Sequence, residues 1–198
     1  MDSRAKTFAL AQLIRDMDGI SYRTSDQLRR EGHFSVPVPC FFPIRVRKGK
    51  LHGLLSLKHL AELGGIGSIG LSTLLLSRDH GNRLCLAAFL TEKELEPDRI
   101  EPPRSLCTKC KKCLKACPTG AISDSGVAVT RCLNVSRAIP RVVLPLFRML
   151  LGWNWSRDTM ATLVNTLAWS ADMVCSGCLV SCPFFRSTAQ CPPDIPSS

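Results

Sequence analysis

Cys107-Thr-Lys-Cys110-Lys-Lys-Cys113-Leu-Lys-Ala-Cys117-Pro118 decides how this chain reads. Three cysteines at intervals of two residues, then a fourth three residues further on and before a proline, have the spacing that binds a 4Fe–4S cluster. Each iron of the cubane takes one thiolate. The first three cysteines wrap three irons from one loop, and the fourth, held against Pro118, points away to a second cluster. A zinc site made of two C-x2-C pairs is the alternative, but zinc takes four ligands, not this run together with the partner run that follows later in the chain.

That partner run is Cys175-Ser-Gly-Cys178-Leu-Val-Ser-Cys182-Pro183. It lacks the first cysteine of a full run, and Cys132 can supply it. By the crossed ligation of two-cluster ferredoxins, Cys107, Cys110, Cys113 and Cys182 hold cluster 1, and Cys117, Cys132, Cys175 and Cys178 hold cluster 2. Cys191 and Cys40 are the other free candidates for the place of Cys132. Cys132 is favoured because Val129-Thr-Arg-Cys132 follows a hairpin, expected from Ala121-Ile122 to Val127–Val129, of the kind that succeeds a first ferredoxin motif. Cys85, in an apolar stretch, reads as a small buried hydrophobe, Cys40 as structural and Cys191 as an exposed thiol.

The rest of the composition agrees with this use of cysteine. The chain has 198 residues, 11 of them Cys, with 45% hydrophobic and 21% charged residues, which suits a packed core and not a disordered chain. Met1 to Leu10 carries Asp2, Arg4 and Lys6 and has no apolar core of a secretion signal, so a cytoplasmic location is expected. In that compartment structural disulfides are rare, and the cysteines need another use. The longest apolar stretch, Val142 to Trp153, is broken by Pro145 and Arg148, so no integral membrane segment is expected. The dispersed His33, His52, His59 and His80 suggest no zinc or Rieske centre.

The hydrophobic pattern predicts a helix over Lys6 to Met17, ended by Gly19, with polar residues from 21 to 34. Val36-Pro-Val-Pro-Cys-Phe-Phe-Pro43 reads as extended loop or edge backbone. A helix is expected over Leu54 to Leu63, with Ser56 as N-cap and Gly64-Gly65 as its stop. Leu74 to Ser77 and Leu84 to Leu90 read as strands of a hairpin around Gly81-Asn82. Glu96-Pro97 and Pro102-Pro103 mark a linker. The expected fold is α+β, with a reduced N-terminal α/β domain (1–100) followed by a ferredoxin-like double-cluster domain (101–198). A helical insertion over 134–172 holds three tryptophans. It reads as two helices packed over the cysteine module, with a membrane-surface role as the alternative because arginines punctuate its apolar residues.

Ala61-Glu-Leu-Gly-Gly-Ile-Gly-Ser-Ile-Gly70, Leu90-Thr-Glu-Lys-Glu-Leu-Glu-Pro-Asp98 and the cysteine series together resemble the epoxyqueuosine reductase family, over roughly residues 53 to 185. That resemblance implies two 4Fe–4S clusters feeding electrons to a cobalamin, held against an N-terminal domain that is longer in the family. It also implies a modified tRNA base as substrate. Gly65, Gly67, Gly70 and Thr73 would then contact the corrinoid. The chain departs from the family in two places. Val46 to Leu60 contains no Asp or Glu where the tRNA enzymes carry their catalytic acid, so no catalytic residue is assigned. Leu71-Ser72 replaces the Lys-Asn of the family. Gly65-x-Gly67-x-x-Gly70 also spells a dinucleotide fingerprint, but a helix precedes it and a strand follows, the reverse of the required context. A turn bringing backbone close to a neighbouring element, or to the corrinoid, is the better reading.

The formal charge is +10, which two bound clusters lower to about +6. Lys109, Lys111, Lys112 and Lys115 crowd the first motif and would dock an acidic donor such as ferredoxin or flavodoxin. RNA also fits the charge, but with Tyr22 the only tyrosine no stacking surface is evident. The leading expectation is electron transfer to a redox centre or a partner reductase. A complete corrinoid-dependent reductase acting on tRNA or a small molecule is the second. A non-catalytic iron–sulfur subunit or redox sensor is the third.

Overall fold

The computed structural model describes residues 2–41, 45–47, 50–97, 105–138 and 173–185. The expected helices of the 134–172 insertion fall largely outside them, as does Cys191. The described residues mix helix and strand and divide into two compact units. One is built from Met1–Leu57, Cys85–Asp98 and Val129–Cys175, the other from Lys58–Leu84, Arg99–Ala128 and Ser176–Ser198.

The first unit is organised on α1 (Ser3–Arg30) and on β1 (Ser35–Val38) paired antiparallel with β6 (Ala88–Thr91). Helix α1 does not end at Gly19. It runs on to Arg30, and Gly32 at φ 89° closes it, with its own N–H on the Arg29 carbonyl and that of His33 on the Leu28 carbonyl. The extension was hidden because the buried stripe, Ile14, Ser21, Ser25 and Leu28, keeps helical spacing but places serines where apolar residues would signal it. Small side chains let the helix approach the strands closely. Ser21 Oγ donates to the Ala88 carbonyl of β6, whereas Ser25 Oγ, fully buried, has no partner among the described residues. Ser21→Ala is therefore expected to cost about 1 kcal/mol, and Ser25→Ala to cost nothing or to stabilise slightly, measured by urea unfolding.

A short hairpin, β2 (Arg45–Arg47) with β3 (Lys50–His52), follows β1. Pro37 lies in β1, as the extended reading of that stretch requires. The two-stranded ladder tolerates it because its outer side needs no N–H donor.

The second unit begins with α2 (Leu57–Leu63), directly after Ser56. Gly65 ends it at φ 75°, with N–H groups of Gly65 and Ile66 on the carbonyls of Glu62 and Ala61, the paired bonds of a Schellman stop. Next, β4 (Ser68–Ile69) pairs with β5 (Leu75–Leu76). The expected hairpin over 74–90 does not form. A turn is present, with Ser77 and Gly81 exchanging both backbone bonds, but β5 pairs back to β4 and β6 pairs with β1. Local turn chemistry was legible, whereas strand partners depend on the two units. After α3 (Lys112–Lys115), β7 (Ile122–Ser123) and β8 (Gly126–Val127) form the hairpin expected behind the first motif, prolonged by Ala128 N–H on the Ala121 carbonyl. Two further α-helices are described, α4 (Leu133–Ala138) in the first unit and α5 (Gly177–Val180) in the second, along with 3-10 turns at Val129–Arg131 and Pro183–Phe185.

Candidate metal centre

The loop of the first motif leaves a buried residue, Leu106, whose N–H donates to the buried Ser68 Oγ of β4 at 2.8 Å. The chain then curls. Lys109 and Lys111 both adopt left-handed backbone, at φ 51° and 58°, a conformation that costs a non-glycine residue on the order of 1 kcal/mol or more. The curl turns Cys107, Cys110 and Cys113 toward one pocket. Cys113 is fixed in the first turn of α3, whose start is held by N–H groups of Leu114 and Lys115 on the Lys111 carbonyl.

Cys182 comes to the same pocket from far along the chain, within the same unit. Asn82, buried behind the Ser77–Gly81 turn, holds it there. Its Nδ2 donates to the Leu179 carbonyl at 2.8 Å and its backbone N–H to the Phe184 carbonyl at 3.2 Å, one bond on each side of Cys182. Arg83 lies over the Phe185 ring at 5.7 Å. Neither Asn82 nor Gly81 was flagged as functional from sequence, where the pair reads only as turn residues.

The pocket fits a cluster on its own terms. Gly70, Leu71, Ser72 and Leu76 line it beside the four thiols. Gly70 packs against this site: a Cβ there would lie 3.3 Å from Leu76 Cδ1 and 3.5 Å from Cys107 Sγ. Burial, with the nearby Cys107 and Cys110, pushes the Cys113 thiol up from its ordinary range. Burial, then Cys110, Cys107 and Cys113, pushes Cys182 up in the same way. Four thiolates crowded like this repel one another unless a cationic core sits among them.

Cys117 faces its own hairpin. Its sulfur accepts the Ala121 N–H at 3.2 Å, with Thr119 Oγ1 at 3.7 Å. Slight burial works to raise its pKa, but N–H groups of Thr119, Ala121 and Ile122 outweigh it and lower it, favouring a thiolate. In the first unit, Asn134 clamps the Cys175 peptide on both sides, Nδ2 to its carbonyl and Oδ1 from its N–H, each at 2.8 Å. Cys132 lies two residues before Asn134 and caps the start of α4, its carbonyl accepting the Val135 N–H. Sequence reasoning missed this Asn134 bridge. Cys178 lies in α5.

The residues assigned to a corrinoid are each engaged by the chain itself. Gly65 closes α2. A Cβ on Gly67 would fall 2.1 Å from the Leu76 carbonyl, so Gly67 serves the β4–β5 approach. Gly70 packs against Leu76 and Cys107. Thr73, left-handed at φ 58°, has its carbonyl bound by Lys58 Nζ at 2.8 Å, a lysine whose pKa burial lowers. Of the two close approaches expected for this glycine segment, the one to a neighbouring element is present at Gly67. Cys85 is not the buried hydrophobe expected. It is half-buried, with its sulfur 3.4 Å from that of Cys40.

Fold and thiol geometry define an iron–sulfur protein, and the 4Fe-4S binding domain family matches residues 102–123. Beyond that module, the chain resembles the epoxyqueuosine reductases. It is 39% identical over 99 residues to that of Synechococcus sp. (strain RCC307), covering 48% of this chain and 30% of the relative. It is 36% identical over 101 residues to that of Bacillus subtilis, covering 50% and 26%. It is 40% identical over 74 residues to that of Listeria monocytogenes, covering 37% and 19%. These matches span under a third of each relative's length. The solved epoxyqueuosine reductase of Streptococcus thermophilus shares the fold, with a TM-score of 0.50 at 24% identity over 84% of this chain and 40% of that one. No helix among the described residues is long and apolar enough to cross a membrane.

Proposed function

We propose that the chain is a cytoplasmic electron-transfer protein holding two 4Fe–4S clusters. Cys107, Cys110, Cys113 and Cys182 hold the first, and Cys117, Cys132, Cys175 and Cys178 the second. In this reading the cluster module occupies residues 101–198, behind an N-terminal segment of 1–100. The observation that carries it is the pocket on which Cys182 joins the three cysteines of the first loop. Bound clusters supply one-electron transfer. The chain's part is to hold the thiols in place and to present charge. Cys110 is exposed, and so are Lys109, Lys111, Lys112 and Lys115 around it, though Lys111 is paired with Asp124 at 2.8 Å. An acidic donor such as ferredoxin or flavodoxin would meet that positive rim first. The acceptor is a redox centre or a partner reductase.

Anaerobic purification with iron and zinc analysis tests this. About eight irons per chain are expected from the eight ligands. Stoichiometric zinc without iron would sink the reading. A second reading, a complete corrinoid-dependent reductase acting on tRNA or a small molecule, is favoured by the names of the relatives. Calorimetry with added cobalamin separates the two, since only the second requires binding.

A further inference from the structure

We propose that Cys40 and Cys85, outside both ligand sets, form a redox-active dithiol that a low-molecular-weight disulfide converts to a protein disulfide. Their sulfurs stand 3.4 Å apart. Both leave the same end of the β1–β6 ladder, since β1 ends at Val38, which pairs with Ala88. The backbone is set for the pair: Cys40 N–H donates to Asp18 Oδ1 of α1 at 2.8 Å, which anchors the end of β1 to the helix. A disulfide bond is about 2.05 Å long, so the sulfurs need to close by little more than an ångström, within reach of side-chain rotation. Both residues are half-buried, so small reagents reach them and large ones are disfavoured. The contact with Cys40, against burial and helped by the Leu86 N–H, lowers the Cys85 pKa to about 7. The same contact, with burial and the Asp18 carboxylate, pushes Cys40 up. Asp18 also opposes ionisation of Cys85, but less than Cys40 favours it.

The exchange is written with Cys85, the thiol whose pKa is lowered, as the first nucleophile. The Cys85 thiolate attacks one sulfur of the external disulfide, forming a mixed disulfide and releasing one thiolate. Cys40 then loses its proton and attacks the Cys85 sulfur, and the second external thiol departs. Two protein S–H groups become one S–S bond. The external disulfide is reduced to two thiols, which carry off both protons.

Oxidised glutathione added anaerobically to the iron-loaded chain tests this, with alkylation at intervals and non-reducing peptide mapping. The expected first disulfide links the Cys40 and Cys85 peptides, forms with no loss of iron, and is reversed by dithiothreitol. In Cys40→Ser, Cys85 should instead keep a glutathione adduct. In the untreated chain at neutral pH, iodoacetamide should label Cys85 roughly tenfold faster than an ordinary thiol. Absence of the linked peptide, Cys40 reacting first, or iron lost in step with the link would overturn the proposal. The mapping uses the unaltered chain, so it stands even if a serine variant fails to fold. The linked peptide is read independently of the two-cluster reading, which the iron count tests.

Discussion

Cys182→Ser is expected to remove about four irons per chain, leaving about four on the remaining set. Serine is nearly isosteric, so the backbone around it has no reason to move. Its hydroxyl, however, stays protonated where a thiolate is needed, and one iron corner loses its ligand. The other three thiols cannot compensate. They come from one curled loop, and Cys182 is the ligand that reaches the pocket from a separate stretch of chain. Burial and the three neighbouring thiols raise the Cys182 pKa, so a cationic core is what makes its thiolate favourable there. Iron and acid-labile sulfide assays on anaerobically reconstituted protein, with an absorption spectrum, read the result. Cys40→Ser is the control, expected to leave the iron unchanged. An unchanged iron count in Cys182→Ser would show that the first site closes on some other group.

The first motif was legible because its ligation is written in local spacing, and the 4Fe-4S family matches there. The intervals in Cys107–Cys113 are those with which one loop wraps a cubane, and no tertiary knowledge enters. The hairpin behind Cys117 was legible for the same reason. What lay beyond local reach was misread. Gly19 has the look of a helix stop, yet α1 passes through it, because Ser21 and Ser25 bury against strands the pattern could not see. Leu74 to Leu90 has the look of a hairpin, yet its strands belong to separate sheets. Within the glycine segment, Gly67 is required by the Leu76 carbonyl across the β4–β5 pair, an approach that the glycine spacing alone does not identify. Asn82 and Asn134 follow the same rule: each fixes a cysteine segment by hydrogen bonds across a long sequence interval, and no spacing announces them.

Gly81→Ala should empty the first site with every cysteine still in place, which makes it the sharper test of how that site is assembled. Gly81 holds φ 62°, and a Cβ there would lie 1.9 Å from the Phe184 carbonyl oxygen and 3.0 Å from its carbon. The obstacle is backbone, not the end of a flexible side chain, so one of the two segments must move. Gly81 is restrained on its other side by both bonds to Ser77. The segment that yields is therefore the one carrying Cys182, two residues before Phe184. Left-handed strain adds about 1 kcal/mol, and the displaced contacts bring the expected destabilisation to roughly 3 kcal/mol or more. Gly120→Ala separates this from strain alone. Gly120 is also left-handed, at φ 57°, and lies nearer a ligand in sequence, but a Cβ there meets nothing within 4 Å. That variant should lose only the strain cost and keep its iron. If Gly81→Ala retained full iron, or if both variants lost it equally, the Gly81–Phe184 approach would not be what seats Cys182. If only Gly81→Ala loses about four irons, the turn at 77–81 is part of the metal site although it contributes no ligand to it.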